Sequence, residues 1–214
     1  MLPKIKCFDT IIFTMEIFHR NIPKELAVRV ISGTARGCGL IAPLGLKTRP
    51  TGDRMKEDLF NILAPFVQGS FFLDVYCGSG AIGIEALSRG AKSAIFVDSS
   101  KEAVNALEAN LLKTRLRDQA KVFHVSANQA LQQLQGQMFD IIFMDPPYDS
   151  REIALSLALI SQGDFLAKEG IIVIECPVDL KLPEILKETG LITFRQKKYT
   201  QMQFVFLRKD DRDN

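Results

Sequence analysis

The 214-residue chain has little of what metal, redox and membrane chemistry require. Its four cysteines, Cys7, Cys38, Cys77 and Cys176, are scattered with no C-x-x-C pair, and its two histidines, His19 and His124, lie near none of them in sequence. No metal is therefore expected, because neither a zinc set nor a redox pair can be recognised. Cys77 has no neighbouring histidine to generate a thiolate, so it reads as a small packing residue rather than a nucleophile. No apolar run approaches membrane-spanning length, and Ile11-Ile12-Phe13 is interrupted by Glu16 and followed by His19-Arg20 without a small-residue cleavage pattern. A cytoplasmic protein without membrane partners is the expectation. Charge of one sign is scarce as well: 27 basic against 25 acidic residues leave +2, too little by itself to mark a nucleic-acid binder.

What is there is a core former. A hydrophobic content of 47% over this length supports one well-buried core and is short for two. Short β-branched runs alternate with helical patterns, which predicts an α/β fold with a mostly parallel sheet covered on both faces. Strands are expected near 71–76, 94–98, 121–125, 139–144 and 170–175, with helices starting near Ala81, Lys101, Ala127 and Arg151. Leu191–Phe194 and Gln203–Leu207, joined by a polar turn, read as a terminal hairpin that brings one antiparallel strand into the sheet. Val28–Ser32 and Leu40–Ala42 flank a glycine-rich turn with Arg36 at its tip and read as a small N-terminal hairpin. The expected organisation is an extension over 1–27, packed on the domain or on a neighbouring subunit, a hairpin and helix over 28–65, the main domain over 66–209 and a polar tail over 210–214.

Two motifs carry chemistry. The apolar run Phe139-Asp140-Ile141-Ile142-Phe143-Met144 leads into Asp145-Pro146-Pro147-Tyr148. The nitrogen of an exocyclic amine on a nucleobase is a poor nucleophile, because its lone pair is delocalised into the ring. Two acceptors at its two protons favour the more tetrahedral geometry that alkylation needs. The Asp145 carboxylate and the Pro146 carbonyl are candidate acceptors, the backbone there being restrained by proline, and neither Pro146 nor Pro147 brings a competing N–H. Tyr148 offers a face on which an extruded base can stack. The plainer alternative is a rigid turn ending a buried strand.

Upstream, Phe71-Phe72-Leu73-Asp74-Val75-Tyr76 is followed by Cys77-Gly78-Ser79-Gly80-Ala81-Ile82-Gly83 and a helical pattern. Glycines there let a ligand approach the backbone, and the following helix N-terminus offers free N–H groups. The turn alone fits a nicotinamide-dependent dehydrogenase equally well. Asp74 tilts the reading, since a carboxylate before the turn suits a cationic amino group better than a pyrophosphate. Asp98 ends the next apolar run, where a ribose diol could be held by its two hydroxyls. By the crevice rule for open α/β sheets, Asp74, Asp98 and Asp145 should gather at one edge. From Lys24 to Lys56 seven basic residues (Lys24, Arg29, Arg36, Lys47, Arg49, Arg54, Lys56) face two acids (Glu25, Asp53), an asymmetry that suits phosphate contacts and is otherwise a solvated face.

With these residues in view, the chain from about Val28 to the C-terminus resembles the RsmD family of bacterial methyltransferases, which modify the exocyclic N2 of a guanine in 16S ribosomal RNA. Its N-terminal signature is matched by Arg29-Val30-Ile31-Ser32-Gly33, Arg36-Gly37, Thr48-Arg49-Pro50-Thr51-Gly52-Asp53-Arg54-Met55-Lys56-Glu57 and Leu59-Phe60-Asn61-Ile62-Leu63. Its core is matched by Gly78-Ser79-Gly80 with Gly83, by Glu85-Ala86-Leu87-Ser88-Arg89-Gly90-Ala91 and by Asp145-Pro146-Pro147-Tyr148. The resemblance implies a Rossmann-like seven-stranded fold and S-adenosylmethionine as cofactor, with 16S rRNA or a partly assembled 30S subunit as partner and a monomeric molecule. It further implies Asp74, Tyr76, Gly78, Ser79, Gly80, Asp98 and Ser126 at the cofactor, Asp145 to Tyr148 at the reacting amine, and Arg36, Arg49, Thr51 and Arg54 toward RNA. Where the family usually carries Asp or Asn after its third strand, the register here places Ser126, with Asn128 two residues on. A Tyr-Gly-Asp-Thr-like turn of the family is replaced by Tyr199-Thr200-Gln201-Met202. Other amino-group methyltransferases, acting on adenine N6 in DNA or on a protein glutamine, would use nearly the same motif. A non-catalytic RNA-binding assembly factor is the remaining class.

Overall fold

A computed structural model describes residues 28–42, 52–147, 150–187 and 189–210. In chain order its elements are α1 (Asp53–Val67), β1 (Phe71–Val75), α2 (Ala81–Ser88), β2 (Ser93–Asp98), α3 (Lys101–Thr114), β3 (Ala120–His124), α4 (Ala127–Gln133), β4 (Phe139–Met144), α5 (Ser150–Gln162), β5 (Leu166–Pro177), α6 (Leu182–Leu186), β6 (Leu191–Lys198) and β7 (Met202–Lys209). The extension over 1–27 and the residues Arg49, Thr51 and Tyr148 lie outside the described part.

The strands form one seven-stranded sheet in the order β3-β2-β1-β4-β5-β7-β6. β1, β2, β3, β4 and β5 run parallel, and β7 enters antiparallel between β5 and β6. This is the arrangement anticipated from the apolar runs and the terminal hairpin. Both faces are covered. Phe72, Phe96, Phe143, Val173 and Phe206 point to one side, into a core shared with α1, α2 and α3. Leu73, Val97, Ile142, Met144 and Ile174 point to the other, against α4, α5 and α6. Burial on two faces is why these strands read as continuous apolar runs.

Three features differ in extent from the sequence reading. β5 begins four residues before the anticipated Gly170, because Leu166 still pairs with Phe139 before a bulge resets the register. α6 follows Lys181 and has Pro183 in its first turn, where a missing N–H costs nothing. The N-terminal hairpin is held by a single antiparallel bridge, Arg29 to Gly39, with bonds from Val30 N to Cys38 O and from Leu40 N to Val28 O. Val28, Val30 and Leu40 pack into the same core as α1 and α2.

The arm is fastened to α2 through a buried ionic group. Glu85 accepts from the backbone N–H of Ile31 at 2.7 Å and of Ser32 at 3.0 Å, and from Arg89 Nε at 2.7 Å. Lys56, also fully buried, lies 3.5 Å from Glu85 and donates to the carbonyl of Arg29. Its ammonium pKa is lowered by burial, against the opposing pull of Glu85. Lys56 therefore belongs to the interior, not to the basic surface that its place in the sequence suggests. Gly33, at φ +85°, sits so close to α2 that a Cβ would come within 1.7 Å of the Ser88 carbonyl oxygen.

Candidate active site

β1 leads through α2 to β2 on one side and its neighbour β4 leads through α5 to β5 on the other, so the connections leaving β1 and β4 diverge and open a crevice at their carboxyl ends. The three acids stand at that edge. Asp74 is in β1, Asp98 ends β2, and Asp145 follows β4.

Between β1 and α2 the chain turns through three left-handed residues, Tyr76 (φ 65°), Gly78 (φ 53°) and Gly80 (φ 77°). The glycines of the turn have different tasks. Gly78 faces open space, with nothing within 4 Å of where a Cβ would stand. Gly83 is packed so tightly on β2 that a Cβ would come within 2.3 Å of the Phe96 ring. The first thus leaves room for a ligand, and the last lets the helix seat on the sheet.

Asp74 is 1% exposed and accepts from Gly83 N at 2.8 Å. α2 has a glycine N-cap and no side-chain cap. Asp74 reaches over from the strand to satisfy that free N–H, a task the sequence did not reveal. Burial, and then the negative charges of Asp145 and Asp98, push its pKa up to about 8. A buried carboxylate with two acids for neighbours favours a cation beside it. Asp98 uses both oxygens on backbone amides, Gly78 N at 2.9 Å and Ser100 N at 2.8 Å, and so ties the glycine turn to the entry of α3. Each carboxylate oxygen keeps a second acceptor direction, enough for a pair of hydroxyl donors.

Asp145 keeps a solvent-accessible face at the mouth of the crevice, while Pro146 beside it is buried and Pro147 exposed. The protein packed around the Asp145 carboxyl still pushes its pKa up to about 6 by desolvation. It can exchange a proton near neutrality. On the same sheet edge, a groove of about 480 Å³ opens between the end of β5 and the terminal hairpin, lined by Pro177, Val178, Asp179, Thr200, Gln201 and Met202.

Tyr76 and Ser126 are engaged in ways that residue type did not disclose. The Tyr76 hydroxyl lies 2.9 Å from Ser156 Oγ and donates to Glu152 Oε2 at 3.2 Å, linking the glycine turn to the helix that follows the Asp-Pro-Pro-Tyr segment. Desolvation, moderated by the Ser156 bond, pushes its phenol up to about 12. Ser126 caps α4, accepting from Gln129 N while Gln129 Oε1 accepts from Ser126 N. Asn128 Oδ1 is buried without a hydrogen-bond partner. Cys77 is buried and its thiol pushed well up by desolvation, as fits a packing residue.

Of the four residues assigned to RNA, Arg36 at the arm's tip and Arg54 on α1 are exposed. Arg49 and Thr51 are not described. No described helix is long and apolar enough to cross a membrane.

The open left-handed Gly78, the buried carboxylate of Asp74, the remaining acceptor directions on Asp98 and the orphaned Asn128 oxygen suit one ligand. That ligand has an ammonium group, a diol and an amine donor.

The chain matches the family model described as conserved hypothetical protein 95 over residues 28–208. It is 38% identical over 177 residues to the ribosomal RNA small subunit methyltransferase D of Haemophilus influenzae, covering 78% of this chain and 92% of that one. Its identity to the protein of the same description in Escherichia coli K12 is 36% over 158 residues, covering 74% and 79%. The solved structure of the Escherichia coli protein yhhF superimposes with a TM-score of 0.76 at 32% identity, covering 86% of this chain and 98% of that one.

Proposed function

This chain belongs to the RsmD family, whose model is described as conserved hypothetical protein 95, and from that membership we propose that it methylates the RNA of the small ribosomal subunit. The proposed methyl donor is S-adenosylmethionine, and the proposed acceptor, as the family resemblance implies, is the exocyclic N2 of a guanine, G966 of 16S rRNA. The molecule acts as a cytoplasmic monomer on 16S rRNA or on a partly assembled 30S subunit. One observation carries the reading: Asp74, Asp98 and Asp145 stand at the carboxyl ends of three adjacent strands, around a glycine turn with an open face.

When bound, the cofactor supplies a methyl group already activated on a sulfonium. Asp74 holds its ammonium end, the Asp98 carboxylate takes the ribose hydroxyls, and Gly78, Ser79 and Gly80 admit it to the backbone. Tyr76 holds the turn against α5, and Ser126 with Asn128 is the candidate pair for the adenine. The work left to the protein is placement and exclusion of water, and proximity alone is worth about 7 kcal/mol or more of a barrier. The Asp145 carboxylate accepts a hydrogen bond from one amine N–H and the Pro146 carbonyl from the other, which turns the nitrogen lone pair outward. Pro147 adds no competing donor, and Tyr148 stacks on the base. The proton lost after transfer goes first to Asp145, whose pKa of about 6 suits that acceptance. Arg36, Arg49, Thr51 and Arg54 hold the RNA chain outside the crevice.

The test is mass mapping of small-subunit RNA from cells lacking the protein, complemented with wild type or with Asp145→Ala. The expected result is loss of one N2-methylguanine, restored by wild type only, with S-adenosylmethionine binding by the purified variant within about threefold of wild type. An unchanged RNA map refutes the substrate. Restoration by Asp145→Ala refutes the role of the carboxylate.

A further inference from the structure

Asn110 is a polar residue at an inward position of α3, where its neighbours are Ala106, Leu107 and Leu111. A leucine would serve packing there, so the amide must be retained by its bonds. It makes three, to two separate segments. Oδ1 accepts from the backbone N–H of Ile41 at 2.7 Å, and Nδ2 donates to the Ile41 carbonyl at 3.0 Å and to the Ser79 carbonyl at 2.9 Å. Both N–H groups point at carbonyls, so the amide has one permitted orientation: flipped, its oxygen would face two oxygens.

The two segments are the two halves of the proposed machinery. Ile41 ends the arm that carries Arg36, and Ser79 lies between Gly78 and Gly80 in the turn beside the crevice. The other buried side-chain anchors of the arm, Glu85 and Ser88 at the far end of α2 and Lys56 on α1, leave the turn alone. Asn110 bonds both. Its amide is planar and rigid, so a shift of Ile41 either tilts the bond to Ser79 or breaks one to itself.

We propose that Asn110 is a positioning residue that couples the RNA-binding arm to the cofactor turn, so that RNA seated on the arm tightens the cofactor site, and cofactor tightens the hold on RNA. This rests on the reading of the turn as an S-adenosylmethionine site. Coupling of this kind is reciprocal and commonly worth a factor of about 5 to 150 in affinity.

Equilibrium dialysis of the full chain with S-adenosylhomocysteine, alone and with 30S particles from cells lacking the protein, tests it. Wild type should bind S-adenosylhomocysteine roughly tenfold more tightly with the particles present. In Asn110→Leu and Asn110→Asp, which lose both donors, that ratio should fall to near one. Leu111→Ala, an apolar truncation on the same helix, loosens the core and should keep the ratio. A wild-type ratio in either Asn110 variant overturns the coupling, as does a ratio of one in wild type. Loss of the ratio in Leu111→Ala as well reduces Asn110 to a structural residue. If Asn110→Leu fails to fold, Asn110→Asp still decides, because it keeps the acceptor for Ile41. Failure of wild type to bind S-adenosylhomocysteine under either condition overturns the cofactor reading instead.

Discussion

At the scale of the residue, Asp74 does two things that pull in opposite directions. Its bond to Gly83 N caps α2, while its burial makes a negative charge costly in the absence of a cation. Asparagine at this position keeps an acceptor for Gly83 and removes the charge. Asp74→Asn should therefore melt at or above wild type without ligand, yet bind S-adenosylmethionine at least about tenfold more weakly, a loss on the order of 1.4 kcal/mol. Calorimetric titration reads this, and unaltered affinity would dismiss Asp74 as the ammonium's partner. Tyr76 presents a different case, because its backbone belongs to the turn while its hydroxyl reaches the helix that follows Asp145-Pro146-Pro147-Tyr148. Tyr76→Phe strands the buried Ser156 hydroxyl, and should cost about 1–2 kcal/mol of stability and several-fold in kcat, with little change in cofactor KM. A variant with wild-type kcat would show that the link to α5 does not serve turnover. Asp74 and Asp98 could be singled out in the sequence because one lies in an apolar run just before a glycine turn and the other ends an apolar run. Tyr76 could not be read so far: its hydroxyl meets Glu152 and Ser156 only after the chain has passed through three intervening strands.

At the scale of the element, α1, α2 and the arm form one body through charges that are hidden from solvent. Glu85 balances Lys56 and Arg89 and receives two backbone amides, so its removal takes the nearest counter-charge from a buried ammonium. Glu85→Ala should cost roughly 3–5 kcal/mol. Lys56→Met should cost markedly less, because Glu85 keeps Arg89 and both amides while the methionine fills the same space. Thermal denaturation of the two variants tests the order, and equal losses would mean that Glu85 contributes no more than its partner. The sequence marked Lys56 as one cation of a basic stretch. Only the fold, which brings Glu85 and the Arg29 carbonyl around it, turned it inward. Other elements announce themselves locally: Ser126 and Gln129 form a capping box that starts α4 where the sequence placed it. α6 gave no such signal, being one short turn between polar residues.

At the scale of the whole molecule, the three acids share one edge, and the charges of Asp145 and Asp98 add to burial in raising the pKa of Asp74. In the ligand-free protein the raised pKa of Asp74 means that the folded state holds its proton more tightly than the unfolded chain does. Stability from this source is present at acid pH and lost as pH rises from about 4 to about 8. Between pH 6 and 8 wild type should lose thermal stability relative to Asp74→Asn, and the stabilisation conferred by S-adenosylmethionine should grow over the same range. Parallel melting curves for the two proteins would refute this. Methyl transfer should rise through about pH 6 as Asp145 ionises, a profile that single-turnover rates would record. The order of the apolar runs and the positions of the acids near their ends determined the sheet, its helices and the edge at which the three acids collect, because periodicity and strand ends are local properties of a chain. Which side chains are buried together was decided by the tertiary structure alone. Asn110 bridges Ile41 and Ser79, Glu85 gathers the arm, and Tyr76 reaches α5, all through contacts between segments far apart in sequence, where hydrogen bonding and desolvation depend on a third dimension that residue order does not contain.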